Sequence, residues 1–383
     1  MNSPVEQRDL ILDVFGTQFV VAWGSGVTSA QAADLGSAWS RCVNPAPLLN
    51  GIRAEEGTDA KPFTACLTRV DGESVGSHLQ VAAGSFEELA ELISSYLTLR
   101  AIDAQAGKLT MLHACGIADP ESGRVLALVA KSGTGKTTAS RILGQSFGYV
   151  TDETIAIQPD GVVRAYPKPL SIKNGGLFKE QVSPDGLGLL EAPDAVHIHG
   201  IALLNRRHDW KGEPLVEKVP LVDAVLALIP DTSSQGRIER PLQSLCRLID
   251  RVGGVWRVEY SEAEDLTGAL AHLFEPREPD DAGWSAPPPA AAFGEVPPGY
   301  YVRLNPQDVV EIDGELILLT GAEVVRLSGI APTIWELAGA PVTMDGIVRG
   351  LETRHGLPEN YQLLVDAAIS EMTAKRLIRL ERS

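Results

Sequence analysis

The chain has 383 residues, enough for two or three domains at roughly 150 residues each, and its 44% hydrophobic and 22% charged residues are those of an ordinary globular protein. A formal charge of −17 argues against a nucleic-acid partner, because holding a phosphate backbone rests on Lys and Arg. Cys42, Cys66, Cys115 and Cys246 form no C-x-x-C pair, which excludes a disulfide scaffold or zinc knuckle; with a polar N-terminus and no apolar run near the ~20 residues of a membrane span, the chain reads as cytoplasmic, without a membrane partner.

In chain order, residues 1–84 read as a β-rich region. Leu10 to Ala22 and Phe63 to Val70 are its strand candidates, the second closed by the turn pair Asp71-Gly72. Ser85 then caps a helix with apolar spacing through Leu89, Leu92, Ile93, Tyr96 and Leu97, and Glu88 completes a capping box. Strands follow around Thr110 to Ala118, with His113 among apolar neighbours, and at Val125-Leu126-Ala127-Leu128-Val129, an all-apolar run typical of a buried parallel strand.

After that strand comes Ala130-Lys131-Ser132-Gly133-Thr134-Gly135-Lys136-Thr137, and then the helix start Thr138 to Leu143. Strand, glycine loop and helix in this order make a phosphate-binding loop. Gly133 and Gly135 allow a concavity of backbone N–H groups, Lys136 reaches terminal phosphates, and the Thr137 hydroxyl ligates Mg²⁺. Lys131 to Thr138 are therefore the expected nucleotide-binding residues. Thr151-Asp152-Glu153 follows the short strand end Tyr149-Val150; a carboxylate there holds Mg²⁺ or takes a proton from an attacking hydroxyl, so Thr137, Asp152 and Glu153 form the expected metal set. Asp160-Gly161 then splits Thr154 to Ile157 from Val162 to Ala165 as a hairpin, a point against a plain alternating sheet. No N-K-x-D guanine motif and no L-S-G-G-Q transporter signature occurs.

Residues 275–298 carry Pro276, Pro279, the run Pro287-Pro288-Pro289 and Pro297-Pro298, and read as an interdomain linker. Beyond it, Tyr300 to Leu304, Val309 to Ile312 and Glu315 to Leu319 read as three strands, the last two joined by Asp313-Gly314. Helical stretches follow at Pro332 to Leu337, Met344 to Thr353 and Tyr361 to Leu377.

Leu112-His113-Ala114, the loop Ser132 to Thr137, Val150-Thr151-Asp152-Glu153 and Ile198-His199-Gly200-Ile201-Ala202-Leu203-Leu204-Asn205 together resemble the HPr serine kinase/phosphorylase family, in order and in similar spacing over roughly 102–274. The resemblance implies an α/β P-loop kinase core of the HPr kinase and phosphoenolpyruvate carboxykinase type, ATP with Mg²⁺, and a homo-oligomer. It also implies Asp152 as base for a seryl hydroxyl, with His113 near the transferred phosphate and Lys136 as the third catalytic residue. The chain departs from the pattern at His197 and His199, which stand where the family has Glu and Arg, and at Lys131, which replaces an acidic residue. His197 and His199 share one face of a strand, with no third metal ligand evident. This divergent form looks more like kinases of ribosomally made peptides, such as lasso-peptide precursors.

Residues 299–383 resemble PqqD-like peptide-recognition domains, a winged-helix-like β3α3 layout in which a leader peptide is added as an extra strand. On that resemblance Glu315, Ile317 and Leu319 form the candidate edge and Ile369, Met372 and Leu377 the groove, although one face of that helix must also supply core. With 8 Lys/Arg against 12 Asp/Glu, this segment is poorly suited to the rival role of a DNA-reading winged helix. The expected domains are thus 1–84, 85–274, the linker 275–298, and 299–383. The expected function is an ATP-dependent kinase of a Ser/Thr hydroxyl on a captured precursor peptide, with an ATP-binding peptide scaffold or a kinase of a free metabolite as alternatives.

Overall fold

The computed structural model describes residues 9–24, 26–43, 63–71, 74–131, 133–277, 279, 283–290, 292–321, 323–356 and 358–382. The fold is mixed α/β, and the chain divides into two compact units. The first comprises Met1–Pro220, Leu226–Ile238 and Arg251–Pro279, and the second Leu221–Val225, Glu239–Asp250 and Asp280–Ser383.

The first unit opens with an antiparallel sheet of β1 (Leu10–Val14), β2 (Thr17–Trp23), β3 (Phe63–Asp71) and β4 (Ser74–Ala83). The expected single strand over Leu10 to Ala22 is instead a hairpin. It turns at Phe15 (φ 37°) and Gly16 (φ 85°), and a turn led by a buried Phe has no usual sequence signature. Helix α1 (Ser29–Ala38) follows, capped by Thr28. Helix α2 (Phe86–Gln105) is capped by Ser85, whose hydroxyl accepts from the Glu88 N–H at 3.1 Å, while the Glu88 carboxylate reaches back to the Gly84 N–H at 2.6 Å. Leu89, Ile93, Leu97 and Ala101 of α2 pack with Leu12, Phe19, Val21 and Trp39 in one core, so this helix and the N-terminal sheet stabilise each other.

Next come β5 (Thr110–Leu112), β6 (Ala114–Ala118), β7 (Arg124–Val129), α3 (Lys136–Leu143), β8 (Gly148–Thr151), β9 (Ile155–Ile157), β10 (Val163–Arg164), β11 (Leu170–Ile172), β12 (Glu180–Val182), β13 (His197–Arg206), β14 (Leu215–Val219), α4 (Leu221–Leu228), β15 (Thr232–Ser233), α5 (Pro241–Arg251), β16 (Val255–Tyr260) and α6 (Leu266–Ala271). The central sheet has the order β14-β16-β13-β7-β6-β8, with β7, β13 and β16 mutually parallel. β6 is antiparallel to both β7 and β8. Two antiparallel steps restore the direction, so β7 and β8 end at the same edge of the sheet. Ala130, Lys131, Gly133 to Gly135 and Thr151 to Glu153 are brought together there. The Asp160-Gly161 hairpin forms as expected, pairing β9 with β10 in a small sheet that also holds β5 and β15.

In the second unit, β17 (Trp284–Ser285), β19 (Asp308–Ile312), β20 (Glu315–Thr320) and β21 (Glu323–Leu327) make an antiparallel sheet, while β18 (Tyr301–Arg303) pairs with the final strand β22 (Ile378–Leu380). Helices α7 (Ala331–Leu337), α8 (Met344–His355) and α9 (Tyr361–Ala374) supply Ile334, Trp335, Ile347, Leu351, Val365, Ile369 and Met372 to its core. Asp313 (φ 51°) and Gly314 (φ 78°) turn β19 into β20 as the D-G signal predicts.

The expected edge at Glu315 to Leu319 is corrected by this topology: β20 is bonded to β19 on one side and β21 on the other, so the strands paired on one side only are β21 and the two-residue β17. Ile317, Leu319, Ile369, Met372 and Leu377 are all buried, and Glu315 is held by Arg326, whose Nη2 donates to its carboxylate at 2.9 Å. β21 has no turn pair or strict alternation in Glu323-Val324-Val325-Arg326-Leu327 to mark it in advance. Helix α5 belongs to this unit too. Its first N–H groups, at Leu242 and Gln243, donate to the buried Asp308 carboxylate at 2.7 and 3.1 Å, and Asp250 near its end accepts from the Trp284 indole at 2.7 Å. All four cysteines are free and buried. No helix among the described residues is long and apolar enough to cross a membrane.

Candidate active site

The loop between β7 and α3 has the geometry a phosphate requires. Gly133 (φ 81°) and Gly135 (φ 100°) occupy the left-handed region closed to most side chains, and a Cβ built on Gly133 would meet nothing within 4 Å. Thr134 folds the loop back, donating from its N–H and hydroxyl to the Lys131 carbonyl. Gly135 caps α3 without a side-chain hydrogen bond, leaving first-turn N–H groups for an anion. Lys136 is buried and its Nζ donates to the Ala130 carbonyl. Burial pulls its pKa below the ordinary lysine value, although Asp231, Glu153 and Asp152 act in the opposite direction.

A cavity of about 570 Å³ lies in front of this loop. Of the expected residues, Gly133, Gly135, Lys136, Thr137, Thr138, Asp152, Glu153 and His113 line it together. Lys131 and Thr134 frame the loop without lining the cavity, and Ser132 lies outside the described residues. His113 is the single residue between β5 and β6, which belong to different sheets, and its N–H donates to the Asp231 carbonyl at 2.7 Å. That break in the strands turns its side chain toward the cavity. His197 and His199 are elsewhere: His199 Nε2 meets the Glu275 carbonyl at 2.8 Å beside a β-bulge, and neither lines the cavity.

Asp152 is buried, and its two oxygens have different neighbours. Oδ2 is 3.4 Å from the Thr137 hydroxyl, which donates to it. Oδ1 is 3.0 Å from Lys168 Nζ and accepts from the Tyr149 hydroxyl at 3.2 Å. Lys168 also pairs with Glu153 at 3.3 Å. Burial by itself would lower the Lys168 pKa, but the two carboxylates outweigh it and raise it to about 12. Burial likewise pushes the Tyr149 hydroxyl well above its usual pKa, so it remains a proton donor. A hydroxyl and a carboxylate side by side are hard oxygen donors of the kind Mg²⁺ takes. The residues present therefore fit Mg²⁺ bound together with a nucleotide.

Sequence reasoning missed Lys168 and the far wall of the cavity. The visible signal for Lys168 was a lysine bracketed by Pro167 and Pro169 between the apolar Tyr166 and Leu170. The wall is α2. Its Glu91, Ser94, Ser95 and Thr98 fall at helical spacing on one polar stripe, distinct from the apolar stripe that feeds the core. The Thr98 hydroxyl meets the Tyr166 hydroxyl at 2.9 Å, two residues before Lys168, while Glu91, Ser94 and Ser95 line the cavity.

No protein-family model matches the chain, and no curated protein matches it. Among solved structures it is similar to the Hpr(Ser) kinase/phosphatase from Coxiella burnetii, at 13% identity and a TM-score of 0.25, over 43% of this chain and 92% of that one. The likeness is remote, and the functional reading rests on the geometry above.

Proposed function

We propose that the chain is an ATP-dependent phosphotransferase acting on a hydroxyl. The observation that carries this is the meeting, in one cavity, of a nucleotide-type glycine loop with Thr137 and a buried carboxylate 3.4 Å apart. The loop amides and Lys136 hold the terminal phosphates of ATP. Thr137 and Asp152 would hold Mg²⁺, which would neutralise charge on those phosphates. The acceptor hydroxyl oxygen forms the new bond to the γ-phosphorus as the bond to the β-phosphate oxygen breaks; the hydroxyl proton passes to the acidic pair, and ADP departs. Lys168 and Tyr149 fix Asp152 Oδ1, so its other oxygen is oriented before substrate arrives. His113 adds a donor beside the transferred group.

The acceptor we infer is a Ser or Thr of a peptide brought by the second unit. That part of the reading is supported by β21, which is paired on one side only, and by the exposed Leu363 and Leu364 of α9. The test is intact-mass measurement of a Ser/Thr peptide pool after incubation with the full chain and Mg-ATP. One added phosphoryl group is expected, along with loss of transfer by about 10²–10⁴-fold in Asp152→Asn while ATP still binds. ATP binding without any phosphoryl gain would leave the scaffold reading instead, and unchanged transfer in Asp152→Asn would remove Asp152 from the chemistry.

A further inference from the structure

The cavity extends well beyond what phosphates need. Opposite the glycine loop it is closed by the polar stripe of α2 and by the arms of the β11–β12 hairpin, Ser171 to Lys173 on one side and Lys179 on the other. The hairpin is tied to the helix: the Lys179 N–H donates to Glu91 Oε2 at 3.0 Å, and its ammonium is 3.8 Å from Oε1. Among the described residues, five lysine and arginine side chains and three carboxylates line the cavity, a cationic balance in a chain whose formal charge is −17. Lys136 serves the phosphate loop, Lys168 is taken by Asp152 and Glu153, and Lys179 is shared with Glu91. Arg141 and Lys173 line the same cavity with no ion pair within the described residues. Arg141 stands one helical turn beyond Thr137, on the same face of α3 and away from the loop amides.

The tip of the hairpin has a second property. Leu177 is 98% exposed and Phe178 37% exposed, and they follow Gly175 and Gly176. They stand at the tip of a hairpin whose arms line the cavity, and large apolar side chains held in water gain free energy on meeting a partner.

We propose that Arg141, Lys173 and the hairpin tip, with the α2 stripe, form the acceptor subsite, and that it selects an extended peptide segment whose hydroxyl residue is flanked by an acidic and a large apolar side chain. Arg141 and Lys173 meet the acidic side chain, Leu177 and Phe178 meet the apolar one, and Ser94 and Ser95 offer hydrogen bonds to the peptide between them. The inference rests on the phosphotransferase reading for its purpose, while the selectivity it predicts is measurable without turnover.

The probes are fluorescein-labelled synthetic Ser peptides carrying acidic–apolar, neutral or basic flanks, together with free serine, each offered to the full chain. Fluorescence anisotropy reads peptide binding, and intact mass reads transfer. The acidic–apolar peptide is expected to bind best. Charge reversal in Arg141→Glu/Lys173→Glu should weaken its binding on the order of tenfold or more and shift preference toward the basic peptide, with Mg-ATP affinity unchanged. Leu177→Ser/Phe178→Ser, at exposed positions that leave the core intact, should weaken it through the apolar flank alone. Equal binding of all peptides, free serine competing as well as peptide, or a loss of Mg-ATP affinity in the charge-reversal variant would each overturn the proposal. Selective binding without phosphoryl transfer would uphold the subsite and sink the kinase.

Discussion

Lys168 shows how far a single side chain can organise a site. Its ammonium is buried and pairs with two carboxylates at once, through contacts of 3.0 Å to Asp152 and 3.3 Å to Glu153. Lys168→Met leaves those acids without their cation in a buried setting, and removing one partner of a buried pair costs about 3–5 kcal/mol. A urea-unfolding midpoint unchanged from the parent would contradict this. The folded-state pKa is raised from 10.5 to about 12, so the pair's contribution is complete below pH 10.5 and is lost as pH rises toward 12. Thermal melts across that window should fall more steeply for the parent than for Lys168→Met. Lys136 belongs to the same scale: on the proposed function, Lys136→Ala removes a charge-assisted contact to the ATP phosphates of about 1.5–3 kcal/mol, and weaker ATP binding by isothermal titration is the expected outcome. Lys136 and Asp152, which line the same cavity, were legible as candidates because they sit in a loop and at a strand end that are local in sequence. Lys168 was not, because its partners lie 15 and 16 positions upstream and meet it only through the fold.

Among the elements, those whose information is local were read well. The Ser85 cap of α2, the D-G hairpins at Asp160 and Asp313, and the strand-loop-helix around Lys136 all formed where their residue types call for them. Those that depend on a neighbour were not. The Phe15-Gly16 turn places a fully buried Phe at positive φ, and β18 and β22 exist only because they pair across most of the second unit. The register of β19, β20 and β21 moved the one-sided strand from Glu315 to Leu319 onto Glu323 to Leu327. Asp308 is another element-scale case, since its carboxylate caps α5 from 66 residues away. Asp308→Ala leaves the Leu242, Gln243 and Val309 N–H groups and the Gln243 amide without this acceptor and should cost about 1–3 kcal/mol in chemical denaturation. Asp308→Asn, which keeps an acceptor oxygen, should cost less.

At the scale of the molecule, the Pro-rich stretch suggested a cut in the chain at 275–298, yet residues 239–250 lie before it and group with the second unit. A fragment beginning at residue 283 would therefore lack its own α5, leaving the buried Asp308 without the three donors that helix supplies. It should unfold less cooperatively and at lower denaturant than one that also carries residues 239–250. Taken alone, the sequence determined the α/β class, the glycine loop between β7 and α3 and the acidic pair after β8, because each is written in a short window by glycine freedom, apolar runs and side-chain chemistry. Only the tertiary structure decided that these windows face one cavity, that Lys168 and α2 complete it, and that β20 is an interior strand. The reason is that pairing partners and burial are properties of segments far apart in the chain, and no local window contains them.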